Sequence, residues 1–294
     1  MLKVSELKLG DNVEVCGYVT GLEVDKIKSG PNMGKDYISF YINDESGRIL
    51  ARLWKPSEYA REVLREYEIF QFKGEVVEYG GSLYMRNPLI SPRPDLNLSE
   101  FVKRAPVSGD IMKVFITEKV IPSIGDETLR KVVSHILHKV GDGFYTCPAA
   151  KSVHHNYFSG LAYHTCRMVE LANFVCAQRK IINRDILMSA VILHDVAKTA
   201  EYIELLGTVS EYSDKGKLLG HISMVYGWVI EACKELGIDP NSEIIMMLQH
   251  CLLSHHNKGE WGSPVQPKTI EALALHYIDA LDAKLQAAED VLNT

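Results

Sequence analysis

The alternation of apolar and polar positions changes period once along this chain. From residue 12 to about 86 it is that of strands: VEVCGYVTGLEV, KDYISFYIND, GRILARLW, IFQFKGEVVEY and SLYMR are rich in β-branched and aromatic residues, and several alternate with period two. Turn residues fill the gaps, in SGPNMG, in DESG and in the Gly80-Gly81 pair. A short helix over 56–67 separates the third strand from the fourth. Five strands with one helix after the third is the order of an OB-type barrel, a fold whose open face often binds single-stranded nucleic acid, although SH3-like barrels give similar strings. Residues 87–110 hold four of the eleven prolines and read as linker. Beyond them ETLRKVVSHILHKV, LAYHTCRMVELANFVCAQR, RDILMSAVILHDVAK, GHISMVYGWVIEACKEL, SEIIMMLQHCLLSHH and KTIEALALHYIDALDAKLQAAEDVL place apolar residues three or four apart, so the second domain is expected to be all-helical. The expected fold is therefore α+β and multidomain: an OB-type β-barrel over 1–92 that binds nucleic acid, a linker over 93–110, and a helical domain over 111–294.

Composition narrows the function. Of the 294 residues 46% are apolar and 24% charged, enough to bury two cores, and no apolar run approaches the roughly 18 residues that cross a bilayer. MLKVSELKLGD has no apolar signal core, and six cysteines are scattered without a CxxC pair; both features predict a cytoplasmic protein with reduced thiols. The net charge of −6 excludes a strongly basic nucleic-acid footprint. All eleven histidines lie at or after position 135, so any imidazole chemistry belongs to the helical domain.

Several of these histidines stand beside carboxylates where helices should face a core. His194 and Asp195 end the apolar run AVIL, and Asp279 follows a repeating Ala/Leu/Ile face. His164 opens one helix, His221 opens another after Gly220, and His255-His256 close a third. A buried carboxylate needs compensation; a divalent cation supplies it, with neutral imidazole as the commonest nitrogen partner. His135 and His138, one turn apart on a charged amphipathic helix, read as structural. His250 and His276 sit near candidate ligands on their own helices.

The order His164, His194-Asp195, Asp279 resembles the HD-domain metal-dependent phosphohydrolase superfamily, and His221 with His255-His256 resembles its binuclear branch. Over its full length the chain resembles the YhaM-type 3′-to-5′ exoribonucleases, which join an OB-fold to an HD domain. The resemblance is carried by HHNYFSGLAYHT, LHDVAKTAE, GHIS and LSHHNKGEWGSPVQPKTIEALALHYIDALDAK. Ser159 and Asn257 stand where that family favours glycine, Ala197 where it usually has glycine, and Tyr163 where an acidic residue is common. The resemblance implies that His164, His194, Asp195 and Asp279 bind one metal and that Asp195 bridges to a second held by His221, His255 and His256. Lys198 follows Asp195 by three residues and shares its face if the helix continues, which makes it a candidate catalytic charge on the scissile phosphate, against the reading of a solvated lysine near a helix C-terminus. Mixed nitrogen and oxygen ligands suit manganese, iron, cobalt, nickel or zinc. Glu201 and Glu260 are candidates for second-layer bonds, and His155 for the substrate entrance.

Strand capture falls to the barrel. Tyr37, Phe40 and Trp54, with Lys35 and Arg52 interleaved, are the candidate contacts, although alternation sends about half of the barrel's rings into its core. Residues 1–92 hold 12 lysines and arginines against 14 acidic residues, so binding rests on a local patch. The expected activity is metal-dependent 3′-to-5′ removal of nucleotides from single-stranded RNA or DNA, by a chain that does not enter membranes and is free to form a homo-oligomer. Two alternatives stand beside it: a phosphohydrolase acting on a small nucleotide, and a non-catalytic single-strand-binding module.

Overall fold

The computed structural model describes residues 2–150, 157–205 and 208–292, and the chain divides into two compact units, Met1–Lys103 and Arg104–Thr294. The first is built from β1 (Asn12–Lys26), β2 (Asp36–Asp44), β3 (Gly47–Leu53), α1 (Glu58–Val63), β4 (Ile69–Tyr79) and β5 (Ser82–Pro92). The strands close into a barrel of order β1-β2-β3-β5-β4, with β4 pairing antiparallel to β1 and β3 running parallel to β5. This closed five-stranded order is that of the OB-fold and decides against an SH3-like arrangement. Ser57 caps α1 by accepting a hydrogen bond from the Ala60 amide.

Period-two alternation along β2 sends Ile38, Phe40 and Ile42 inward, where they meet Phe70, Phe72 and Met85. Tyr37, Ser39 and Tyr41 face outward. Phe40 is therefore not a nucleic-acid contact: it is 0% exposed, with its ring 5.6 Å from that of Phe72. The alternating register wins over the attraction of an aromatic residue near basic ones.

The second unit carries α2 (Gly109–Val114), α3 (Glu127–Val140), α4 (Gly143–Thr146), α5 (Gly160–Gln178), α6 (Arg184–Leu193), α7 (Lys198–Glu201), β6 (Tyr202–Leu205), β7 (Thr208–Tyr212), α8 (Asp214–Leu236), α9 (Glu243–Ser254) and α10 (Ile270–Leu292). It is helical apart from the β6–β7 hairpin, which corrects the all-helical expectation. YIEL and TVSEY are short strings that contain β-branched and aromatic residues, and Tyr202 pairs with Tyr212. Every residue from Ile186 to Leu193 is buried, so α6 is the central helix, packed on by α3, α5, α9 and α10. Its C-terminal end delivers His194 and Asp195. Among the described residues no helix is long and apolar enough to cross a membrane.

Candidate metal centre

Helix α6 stops one residue before His194, and tight turns carry the chain on: the Val196 amide donates to the Leu193 carbonyl and the Lys198 amide to the Asp195 carbonyl. The helix therefore does not continue through Lys198. The turn still brings Lys198 back over Asp195, with Nζ 2.7 Å from Asp195 Oδ2 and 2.8 Å from the Ala149 carbonyl. Lys198 is 8% exposed, so it is a buried ion-pair partner and not a solvated lysine.

Two clusters meet at Asp195. His164, His194 and Asp279 form one, and Asp195, His221, His255 and His256 form the other; in each, the potential ligand atoms lie within 4.8 Å of one another. Asp195 Oδ2 is 3.2 Å from His194 Nε2, in the first cluster, while Oδ1 is 3.4 Å from His221 Nε2 and 3.9 Å from His255 Nε2. His164 Nε2 is 3.3 Å from Asp279 Oδ1. All seven residues expected from the sequence are thus brought together, with the two oxygens of Asp195 divided between the groups.

The imidazoles are aimed. Nδ1 of His194 donates to the Val191 carbonyl at 2.9 Å, that of His255 to Leu252 at 2.7 Å and that of His256 to Trp261 at 2.7 Å. A carbonyl only accepts, so each Nδ1 carries a proton, and Nε2 is the nitrogen that can bind a metal when the ring carries no second proton. His164 and His221 are held through Nδ1 by the carboxylates of Asp282, at 2.7 Å, and Glu201, at 3.0 Å. His276 Nδ1 donates to the His255 carbonyl, while His250 Nε2 accepts from the Lys268 amide.

Two glycines set His221. Gly220 adopts φ 68°, ψ 155°, breaking α8 immediately before the histidine. At Gly216 a Cβ would clash with the Glu201 carbonyl oxygen, so only glycine lets α8 approach the residue that tethers His221. Ser159 and Asn257, where the family pattern favours glycine, both have positive φ, 66° and 65°. The backbone there is left-handed, which explains the preference.

Four polar atoms in this centre are buried without a hydrogen-bond partner: His194 Nε2, Asp195 Oδ1, His221 Nε2 and His255 Nε2. Buried polar groups are almost always paired, and four orphans facing one another fit the donor set that a cation would need. The electrostatics agree. Burial, reinforced by neighbouring imidazoles, holds His255 well below the usual histidine range, and burial likewise lowers His256, so both are neutral near pH 7. Burial disfavours the Asp195 carboxylate, but His194 and Lys198 outweigh it and keep Asp195 ionised. Asp195 in turn overcomes the burial of Lys198 and keeps its ammonium charged.

Other candidates fall outside. Glu201 is where a second-layer residue should be. Glu260 is exposed beside Lys258, at 3.5 Å, and belongs to neither cluster, while His155 lies outside the described residues. His135 pairs with Glu235 at 2.7 Å, as a structural residue would. Asp282, at the LDAK end of the resembling stretch but given no role there, is a further buried carboxylate, three residues after Asp279 on α10 and therefore on the same face.

On the barrel, Tyr37 stacks on Trp54 with ring centroids 5.0 Å apart. The Arg52 guanidinium lies 5.7 Å from the Trp54 ring and 5.4 Å from Tyr84, and that of Arg48 lies 4.6 Å from Tyr41. Lys35 is exposed, with Nζ 3.2 Å from Asn32 Oδ1. Tyr41 and Tyr84 thus join the outward set that Phe40 leaves.

The chain has relatives among known proteins. The HD domain family model matches residues 161–284, a span containing all seven clustered residues. A Listeria innocua protein named 3′-5′ exoribonuclease YhaM is 36% identical over 99% of this chain and 91% of its own length, and a Geobacillus protein of the same name is 38% identical over 88% of this chain and 79% of its own. Among solved structures, an OB domain from Thermoplasma acidophilum is 20% identical, covering 33% of this chain and 88% of that one, with a TM-score of 0.28. With its HD domain and its near full-length similarity to these relatives, the chain belongs to the YhaM 3′-5′ exoribonuclease family.

Proposed function

We propose that this protein is a metal-dependent 3′-to-5′ exonuclease that hydrolyses the phosphodiester bonds of single-stranded RNA, and of single-stranded DNA to the extent that the barrel admits it, releasing 5′-mononucleotides. The observation that carries this reading is the pair of clusters that meet at Asp195, where His194 Nε2, Asp195 Oδ1, His221 Nε2 and His255 Nε2 are buried without a hydrogen-bond partner. Two divalent cations from the series manganese, iron, cobalt, nickel and zinc suit these donors, and when bound they supply Lewis acidity that lowers the pKa of water towards neutrality and offsets phosphoryl charge.

The chain's own residues do the rest. His164, His194, Asp195 and Asp279 hold one position and Asp195, His221, His255 and His256 the other. Lys198 pins Asp195 Oδ2 and keeps a positive charge beside the place where a phosphate must sit. Glu201 orients His221. Tyr37, Tyr41, Trp54 and Tyr84, with Arg48, Arg52 and Lys35 among them, offer rings and charge to a single strand.

Purified protein with manganese should convert a 5′-labelled oligoribonucleotide into a ladder shortening from the 3′ end. No degradation with any of the five metals would overturn the reading, and hydrolysis of free nucleotides with oligomers left intact would replace it with a small-nucleotide hydrolase.

The barrel face gives a contrast between two rings. Trp54→Ala is expected to weaken oligonucleotide binding by about 1–3 kcal/mol, roughly 5- to 150-fold, with the fold unchanged. Phe40→Ala should instead destabilise the barrel by about 3–5 kcal/mol through a core cavity. Fluorescence anisotropy and denaturant titration of the two variants separate the roles; the converse pattern would place the binding face elsewhere.

Loading should also depend on pH. Burial lowers His164, but its bonds to Asp279 and Asp282 outweigh that and push it up to about 9. A metal-free His164 thus holds a proton that must leave on loading, so affinity at its cluster should rise about tenfold per pH unit from about 6.5 to about 9 and then level off. In the metal-free protein the same ion pairing stabilises the fold fully below about pH 6.5 and is lost as pH rises through about 9. Competitive chelator titration across this range checks the slope; a flat profile would contradict it.

A further inference from the structure

We infer that Asp282 is a positioning residue for the metal centre: it clamps His164 so that Nε2 faces the cation, and its negative charge strengthens that imidazole as a ligand. The inference rests on the reading of the clusters as metal sites and gives a role to the aspartate of the LDAK stretch, to which the resemblance assigned none.

Three of the five ligand histidines are tethered by main-chain carbonyls. For His194 and His255 the acceptor is the carbonyl three residues earlier in the chain, Val191 and Leu252. His164 is tethered from a different helix. It sits in α5, where the Thr165 hydroxyl bonds the Leu161 carbonyl within the same turn, and its Nδ1 bond comes from a side chain on α10.

α10 meets the ring on both edges. Asp279 Oδ1 lies 3.3 Å from Nε2, and Asp282 Oδ2 lies 2.7 Å from Nδ1. Residues three apart on a helix share a face, so one rigid element fixes the ring's plane and its tautomer together. An ionised carboxylate only accepts, so Nδ1 must donate and Nε2 is the nitrogen left for a metal.

Asp282 is 2% exposed, and a carboxylate so buried is retained at a cost unless it is compensated. His164 takes one oxygen. Arg167, one turn along α5 from His164, brings Nε to 3.5 Å of the other. The result is a carboxylate–histidine pair of the kind that raises a ligand's basicity, and loss of such an outer partner typically weakens metal affinity by roughly 10- to 100-fold. Glu201 stands in the same relation to His221, so each cluster has one histidine held by a carboxylate.

The test is Asp282→Asn, which keeps the size and an acceptor oxygen but removes the charge. Wild type and variant are titrated with Co²⁺ against a competing chelator, with circular dichroism as the control for folding. The expected outcome is two sites in the wild type, and in D282N one unchanged site and one weakened about 10- to 100-fold. A residue that served only to pack α5 on α10 would leave both affinities alone. D282N with two wild-type sites, beside a two-site wild type, overturns this inference only; a wild type that binds no Co²⁺ overturns the metal reading and this inference with it. Should D282N not fold, ¹⁵N-histidine spectra of the Zn²⁺-loaded wild type decide instead. Proton on Nδ1 and metal on Nε2 of His164 support the assignment, and metal on Nδ1 overturns it.

Discussion

Asp195→Asn is expected to remove exonuclease turnover, with a loss beyond the roughly 10- to 100-fold that follows removal of an outer partner of a metal ligand. The reason lies in what surrounds the two oxygens. Oδ2 touches the Lys198 ammonium at 2.7 Å, and Oδ1 faces the Nε2 atoms of His221 and His255. An asparagine must turn its amide nitrogen to one side or the other. Facing Lys198, it sets a donor against an ammonium; facing the imidazoles, it fills the cation's place with a donor. Either way the shared ligand is lost. Lys198 also loses its counter-charge, and breaking a buried pair typically costs about 3–5 kcal/mol, so a lower melting temperature should accompany the loss. Oligonucleotide binding by the barrel should be unaffected, since the barrel's rings are held by a core of its own. Single-turnover cleavage and anisotropy on the same preparation check both halves. A variant that cleaves at the wild-type rate would remove Asp195 from its bridging role.

Much of this centre is legible in the sequence because its ligands sit where amphipathic periodicity is violated. His194-Asp195 after AVIL and Asp279 amid alanines and leucines are polar groups at positions that packing reserves for apolar ones. The barrel is legible from period-two strings, and its closure from the helix after the third strand. The expectations that fail do so for identifiable reasons. Phe40 is misassigned because composition marks an aromatic near cations, while register decides which face it takes. The β6–β7 hairpin escapes because four- and five-residue strings between helices carry little periodic signal. Asp282 is hidden beside Asp279, although three-residue spacing puts both on one face. The carbonyl tethers from Val191, Leu252 and Trp261 leave no trace in side-chain identity, so no sequence pattern could show that their imidazoles present Nε2.

Removing the metal should destabilise the helical unit selectively. Metal-free, the centre holds four buried polar atoms with no partner, and each such group costs about 1–3 kcal/mol, so together they approach the roughly 5–15 kcal/mol that stabilises a typical domain. Cations held by the two clusters would satisfy all four. For a metal near 100 times its Kd, mass action adds about 2.7 kcal/mol to the folded state. The unit spanning Arg104–Thr294 has a size for which 1 kcal/mol shifts melting by about 2–4 °C, so chelation should lower its transition by about 5–10 °C. The barrel has its own core, built from Phe40, Phe70, Phe72 and their neighbours, and its transition should not move. Calorimetry of the full chain with manganese and with chelator, alongside the Asp195→Asn variant, measures the difference. The variant has lost the shared ligand, so its melting should respond little to either addition. Equal melting of the wild type in both conditions would mean that the four orphaned atoms are satisfied by something other than a cation, and the metal assignment of the centre would fall on that result alone.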